Sequence, residues 1–160
     1  MKGKSEGFVR ELRLADEAAT VALGARIAAA LRPGDAVALA GDLGSGKTTL
    51  ARAILRALGI KEDVPSPTFT LVQHYATPDL TVDHFDLYRI EAESEVEQLG
   101  LDDALAHGAA LIEWPERAGS RLPCDHLHVE LGPAGPHARF AALSGPADWG
   151  LRLFESADHV

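Results

Sequence analysis

The segment AVALAGDLGSGKTTL, residues 36–50, decides the fold. It begins with a wholly apolar run from Ala36 to Ala40, which predicts a strand buried on both faces. The loop from Gly41 to Thr48 then matches the phosphate-binding pattern G-x-x-x-x-G-K-[ST] at every fixed position. A helix is predicted from Thr49 to Leu58, because Gly59 is a common helix terminator. A strand, a glycine-rich loop and a helix in this order predict a P-loop domain.

The residue types in this loop have the chemistry that binding of phosphate and magnesium requires. Glycines let the backbone turn tightly and point amide hydrogens at phosphate oxygens, and the following helix directs its positive end at the same anion. Lys47 can reach the outer phosphates, and the Thr48 hydroxyl can ligate magnesium. From the residue frequencies of this chain, chance would produce the pattern in about three sequences in a thousand. An accidental match is therefore rejected.

Three further side chains are candidates for the control of metal and water. Glu113 ends an apolar run and so lies at a strand end, where acidic partners of a P-loop magnesium are expected. Asp86 lies in VDHFDLYR, and strand alternation puts it on the face opposite its apolar neighbours. Thr68 lies in a proline-constrained loop and could sense the terminal phosphate as a switch threonine does. The alternatives are ordinary strand-end acids and an ordinary turn threonine.

Hydrophobic patterning predicts the remaining elements. We expect a strand over 8–14, a helix over 16–31, a hairpin over 70–88, two short helices between 94 and 108, a strand over 109–114, a second hairpin over 126–143 and a terminal helix over 148–155. Ser94 and Glu97 match a capping box at the first short helix. The expected fold is α/β: one P-loop domain over residues 1–160, with a mostly parallel central sheet, antiparallel hairpins and helices on both faces. Residues 1–7 are expected to be flexible.

Composition narrows the functional classes. Hydrophobic residues make up 46% and charged residues 24%, which is typical of a soluble globular protein. A single cysteine, a charged N-terminus and the lack of a long apolar run predict a cytoplasmic protein without membrane contact. The net charge of −9 disfavours binding along the backbone of DNA or RNA. Six acids between Glu91 and Asp103 indicate either a solvated helix face or a docking surface for a basic partner.

Two other patterns are weaker. The spacing Cys124-x-His126-x-His128 is a poor metal candidate, because the chain offers one cysteine and no fourth ligand nearby. Trp114 is more often a core residue or a partner anchor than a ring that stacks on a base.

Four motifs in order, GDLGSGKTT, SPTF, HFDLYR and EWPE, closely resemble the bacterial TsaE (YjeE) family of ATPases. The resemblance runs from about Leu14 to Pro115, and the C-terminal hairpin is similar with less specificity. It implies a weak ATPase that acts with the TsaB and TsaD proteins in the threonylcarbamoyl modification of the adenosine next to the anticodon of certain transfer RNAs. Transfer RNA is expected to be reached only through that complex.

The resemblance also implies cofactors and roles. ATP would be bound by Gly41, Asp42, Leu43, Gly44, Ser45, Gly46, Lys47, Thr48 and Thr49. Magnesium would lie at Thr48 and Glu113. Asp86 would position or deprotonate the attacking water, or hold a magnesium-bound water. The start of the first helix, around Asp16, would reach the adenine side. Lys47, Thr68, Asp86 and Glu113 form the candidate catalytic set.

Two other functions use the same loop. A small-molecule kinase usually closes several arginines over the phosphates, and the acidic segment after the first hairpin argues against one. A nucleotide-gated assembly module would need ATP binding but not hydrolysis. A GTPase is less expected, because no N-K-x-D motif occurs in the chain. Turnover measured with the partners present would separate hydrolysis from binding as the functional event.

Overall fold

The computed structural model describes residues 7–42, 44–65, 67 and 70–155. Its strands are β1 (Gly7–Leu14), β2 (Ala36–Ala40), β3 (Val72–Ala76), β4 (Thr81–Asp86), β5 (Ala109–Glu113), β6 (Leu127–Pro133) and β7 (Arg139–Pro146). Its helices are α1 (Glu17–Ala30), α2 (Lys47–Ala57), α3 (Glu93–Gln98), α4 (Leu101–His107) and α5 (Ala147–Gly150), which continues into a π-helical turn over Leu151–Glu155. Two 3₁₀ turns, Pro115–Arg117 and Gly119–Arg121, follow β5. Of the seven N-terminal residues expected to be flexible, Gly7 begins β1 and the others lie outside the described ranges.

The described strands form one seven-stranded sheet in the order β1-β7-β6-β2-β5-β4-β3. The central strands β6, β2, β5 and β4 are parallel, whereas the pairs β6–β7, β7–β1 and β4–β3 are antiparallel. The two wholly apolar strands, β2 and β5, are neighbours in the middle of the sheet. This arrangement confirms the predicted α/β fold with a parallel centre and antiparallel hairpins.

Both faces of the sheet are covered, because successive side chains of a strand point to opposite sides. On one face Val37 and Leu39 of β2 pack in a core with α1, α2 and the C-terminal turn. On the other face Ala36 and Ile112 pack in a second core with α3 and α4. Among the helices described, none is both long and apolar enough to cross a membrane.

Two predicted helix starts are wrong by one to two residues. Helix α2 begins at Lys47 rather than Thr49, because Gly46 already serves as its N-cap. Helix α3 begins at Glu93 rather than after Ser94, and the Glu95 carboxylate accepts a hydrogen bond of 3.2 Å from the Ala92 N–H. Glutamates alternate along this segment, so the sequence alone allows more than one of them to bond back to the first residues of the helix as a capping box does.

Candidate functional site

The loop between β2 and α2 is shaped by its glycines. Gly41 and Gly46 have φ angles of 142° and 107°, in the region that other residues rarely adopt. A Cβ at Gly41 would lie 2.5 Å from the Leu131 carbonyl oxygen, and one at Gly46 would lie 2.5 Å from the Arg139 guanidinium. The Gly46 carbonyl accepts from the Leu50 N–H at 2.9 Å as α2 begins. Glycine at these two positions therefore lets the loop wrap the positive end of α2, where an anion is favoured.

Lys47 lies against this loop and is almost fully buried. Its Nζ donates to the carbonyl oxygens of Gly41 at 2.7 Å and Asp42 at 2.9 Å, and it lies 4.2 Å from the centroid of the Trp114 ring. Burial lowers the pKa of Lys47, and the strongest opposing influence is the nearby Glu113 carboxylate. Main-chain carbonyls are neutral partners, so a phosphate oxygen in their place would give this ammonium a stronger, charge-assisted hydrogen bond.

Three elements meet at the Glu113 carboxylate. Glu113 ends β5 and is 2% exposed. The Thr48 hydroxyl, from the first turn of α2, lies 3.0 Å from both carboxylate oxygens. His84 of β4 is fully buried, and its Nε2 lies 2.7 Å from Glu113 Oε2. Thr48 and Glu113, both expected at magnesium, are thus in direct contact although they lie 65 positions apart in the sequence.

Asp86 lies beside Glu113 at the same edge of the sheet. The two residues are register partners on the parallel strands β4 and β5, so their side chains project to the same face. Asp86 is buried, and its Oδ1 accepts from the Tyr88 N–H at 3.0 Å. The carboxyl ends of parallel strands are where α/β sheets bind their ligands. Two buried carboxylates therefore face the P-loop from neighbouring strand ends.

Leu43 and Thr68, both predicted as site residues, lie outside the described residues. The described residues on either side of Thr68 make contacts with the end of β4. The Asp86 N–H donates to the Leu71 carbonyl at 2.9 Å, and the Leu71 N–H donates to the Pro67 carbonyl at 2.7 Å. The chain on both sides of Thr68 is therefore tied to the strand end that carries Asp86.

A cavity of about 650 Å³ opens beside the loop, a size suited to a small-molecule ligand. Its wall is formed by the start of α1, the P-loop and the β6–β7 connection, and includes Asp16, Ser45, Thr49 and Arg139. The Asp16 carboxylate also caps α1, accepting from the Ala19 N–H at 3.0 Å. The Ser45 hydroxyl is buried and finds no hydrogen-bond partner in the part of the chain that is described. Asp16 thus lines the cavity that opens beside the P-loop.

Two residues at the site, Arg139 and His84, are not among those predicted from the sequence, and the position of a third, Trp114, was predicted only in part. Arg139, at the start of β7, directs its Nη1 at the Gly44 carbonyl over 3.5 Å, and no local motif marks it. His84 could have been found, because strand alternation puts it on the same face as Asp86. Trp114, expected in the core or at a partner, is half-buried and packs against the second core, and it also contacts Lys47 and has a left-handed φ of 61°. Such backbone strain in a non-glycine residue is often found at functional sites.

The residues around the loop fit a divalent cation. Lys47 lies in the field of four carboxylates, those of Glu113, Glu116, Asp86 and Asp42. An excess of oxygen donors and negative charge is what magnesium prefers. Within the described ranges, no group of three or more His, Cys, Asp or Glu side chains could hold a metal by itself. A magnesium ion here would therefore take further ligands from phosphates and water, as is usual at P-loops.

Comparison with known proteins gives one consistent result. The profile of the family described as "Threonylcarbamoyl adenosine biosynthesis protein TsaE" matches residues 14–139. The tRNA threonylcarbamoyladenosine biosynthesis protein TsaE of Bacillus subtilis (strain 168) is 40% identical over 121 residues, which cover 75% of this chain and 75% of that protein. The protein of the same name from Rickettsia felis is 42% identical over 133 residues, 82% of this chain and 78% of that protein. The crystal structure of Bacillus subtilis YdiB superposes with a TM-score of 0.80 and 28% identity over 98% of both chains.

Proposed function

Because the chain belongs to the TsaE family of tRNA threonylcarbamoyladenosine biosynthesis, we propose that it binds ATP with magnesium and hydrolyses it to support that modification, together with TsaB and TsaD. One observation carries this proposal: two buried carboxylates meet the P-loop at the carboxyl ends of β4 and β5. Lys47 and Thr48 reach the site from the loop, and Glu113 and Asp86 reach it from the strands.

The P-loop is the proposed phosphate cradle. Its amide groups and the N-terminus of α2 favour an anion, and Lys47 would exchange its carbonyl partners for phosphate oxygens. The buried Ser45 hydroxyl supports this role, because a phosphate oxygen would satisfy a polar group that has no partner among the residues described. Arg139 would add a second cation on the side of the cavity.

Thr48 and Glu113 are the proposed magnesium-binding residues. The hydroxyl and the carboxylate are already in contact, and both are oxygen donors of the kind that magnesium prefers. When bound, the ion neutralises charge on the phosphates. Asp86, the second buried carboxylate, would orient the attacking water and accept its proton. The water oxygen bonds to the terminal phosphorus while the bond to the bridging oxygen breaks, which gives ADP and phosphate.

The cavity beside the loop is the proposed adenosine pocket. Asp16 fixes the start of α1 at its wall through the cap to Ala19. Arg139 comes from the β6–β7 hairpin, so the hairpin would close the pocket opposite α1. The net charge of −9 supports the proposal that transfer RNA is reached through the TsaB and TsaD partners rather than by this chain alone.

Calorimetry with Mg-ATP and single-turnover hydrolysis test the proposal, with the chain alone and with both partners. Glu113→Gln should keep ATP affinity within a few-fold but slow hydrolysis about 100-fold, because the charge near the metal is lost while the phosphate cradle stays intact. Glu116→Gln is the matched control: it removes an exposed acid that acts on the same lysine without touching Thr48.

The same experiment separates the proposal from its alternatives. A Glu113→Gln protein that hydrolyses ATP at the wild-type rate with the partners present would refute the assigned chemistry. A variant that no longer hydrolyses ATP but still supports full modification of transfer RNA would instead establish a nucleotide-gated assembly module.

A further inference from the structure

The fully buried His84 is used by none of the proposed steps, yet it touches the proposed magnesium-binding carboxylate. Its Nε2 lies 2.7 Å from Glu113 Oε2. Its other ring nitrogen, Nδ1, is buried without a hydrogen-bond partner in the described part of the protein. An apolar side chain would fill this position without leaving an unpaired polar atom. The contact with Glu113 is therefore what the imidazole provides to this site.

The direction of the hydrogen bond follows from chemistry. A carboxylate that serves a metal is ionised and can only accept hydrogen bonds. His84 must then carry a hydrogen on Nε2 and donate it to Oε2. The Thr48 hydroxyl lies 3.0 Å from both oxygens, so Oε2 has both side chains as neighbours and Oε1 has Thr48 alone. The imidazole at Oε2 and the hydroxyl between the two oxygens together hold the carboxylate against rotation about its terminal bond.

Resting on the proposed function, we infer that His84 is a positioning residue that orients Glu113 for magnesium. Strand geometry makes this reach possible. His84 and Asp86 share one face of β4, and Glu113 is the register partner of Asp86 on β5, so the imidazole approaches Glu113 diagonally from the sheet interior. Partners of this kind behind a metal ligand typically change metal affinity about 10- to 100-fold when they are removed.

A pair of carboxamide variants provides the test. His84→Gln places an amide nitrogen near the position of Nε2, whereas in His84→Asn the same group is one methylene too short to reach Glu113. His74→Asn is the control, because His74 forms a similar 2.8 Å pair with Asp83 on the same hairpin, 72% exposed and away from Glu113. ADP affinity is measured with EDTA, and the Mg²⁺ concentration that gives half of the Mg²⁺-dependent gain in affinity is then determined.

We expect His84→Asn to raise this Mg²⁺ midpoint about 10-fold or more, with ADP affinity in EDTA unchanged within about twofold. His84→Gln and His74→Asn should stay within a few-fold of wild type. In a Glu113→Gln background, His84→Asn should add no further loss, because it acts through Glu113. A folded His84→Asn protein with the wild-type Mg²⁺ midpoint would overturn the inference. It would also be overturned if His84→Asn and His84→Gln lost ADP affinity equally and if that loss remained in EDTA.

A wild-type measurement covers the case in which His84→Asn does not fold. The ¹⁵N NMR spectrum of the His84 ring at neutral pH should show a hydrogen on Nε2, and a ring without one would overturn the inference. If ADP binding to the wild type does not respond to Mg²⁺ at all, the proposed function itself fails. A normal wild-type response with an unchanged His84→Asn midpoint overturns only the role of His84.

Discussion

Gly24→Ala is expected to disturb the proposed nucleotide site from a distance. Gly24 is a buried residue of α1 that faces α2. A Cβ at this position would lie 2.5 Å from Ala53 Cβ, 2.9 Å from the Ala53 carbonyl carbon and 3.0 Å from the Ile54 nitrogen. Carbon atoms in contact prefer about 3.5–4.0 Å, so the two helices would have to separate by about 1 Å. Two of the three atoms are main-chain, so α2 must move as a whole.

The expected cost combines two opposing effects. Overpacking a core typically costs about 1–3 kcal/mol, and the main-chain contacts place Gly24→Ala in the upper part of that range. Replacing glycine by alanine inside a helix stabilises the folded state by about 1 kcal/mol. The net destabilisation is then about 1–2 kcal/mol, or roughly 2–8 °C in the melting temperature of a domain of this size.

The functional effect should exceed the effect on stability. Helix α2 carries Lys47 and Thr48 at its start, so a shift of about 1 Å would break the 3.0 Å contact of Thr48 with Glu113. Misplacement on this scale can cost about 100-fold in rate. Thermal melting and Mg-ATP hydrolysis with the partners measure both effects. Ala53→Gly in the same chain should partly restore each, and Ala25→Gly, at an exposed position of α1, is a control for helix propensity.

A Gly24→Ala protein that melts at or above the wild-type temperature and hydrolyses ATP normally would show that α1 and α2 do not set the position of the P-loop. The same conclusion would follow if Ala25→Gly lowered hydrolysis as much as Gly24→Ala does.

Four further measurements test the proposed site residues, one buried side chain and the proposed partners. Lys47→Ala should lose most ATP affinity by calorimetry, because no other lysine among the described residues contacts the loop. Near wild-type affinity in a folded variant would remove the basis of the proposal. Asp86→Asn should bind ATP yet hydrolyse it about 100-fold more slowly than the wild type. Asp83→Asn, on the same strand, should hydrolyse ATP at the wild-type rate, so equal rates in the two variants would contradict the role of Asp86. Burial raises the pKa of the Tyr75 hydroxyl above its usual value of about 10, an effect that Glu62 reinforces and Arg52 opposes. The wild type should therefore lose stability as pH rises through the folded-state pKa, whereas Tyr75→Phe should not. Equal losses of stability in the two proteins, measured by urea unfolding at alkaline pH, would contradict this prediction. ATP turnover should rise when TsaB and TsaD are added, and salt-sensitive binding of transfer RNA by the chain alone, without that rise, would point to an independent RNA-acting ATPase.

Strands, helices and turns that are determined by residues close together in the sequence were predictable from it. The strand β2, the P-loop and α2 follow from one continuous segment in which apolar run, glycines and helix formers succeed one another. Both hairpins follow from alternation around turn residues, and the pairing β3–β4 and β6–β7 confirms them. Local signals are less exact at the ends of elements, as at the start of α3, where acids at several positions offer competing caps.

Contacts between distant segments were not predictable in the same way. The placement of β5 between β2 and β4 depends on how the whole sheet packs, and it is this placement that brings Glu113 to Thr48. Arg139 reaches the P-loop only because β7 returns beside β6, next to β2. A motif search can name Glu113 as a strand-end acid, but neither its hydrogen bond to His84 nor the return of Arg139 leaves a local pattern.

Several acids between Glu91 and Asp103 have structural roles that their sequence pattern did not indicate. The sequence presents six acids without a base, but Glu93 binds the N–H and hydroxyl of Ser120, and Glu97 lies 3.2 Å from Arg121. Both partners come from the second 3₁₀ turn after β5, so these acids fasten α3 to the segment that follows Trp114. Asp102 and Asp103 lie in the first turn of α4, where the helix dipole favours negative charge. Much of this charge therefore serves the fold, and a basic partner that docked here would have to compete with Arg121 for Glu97.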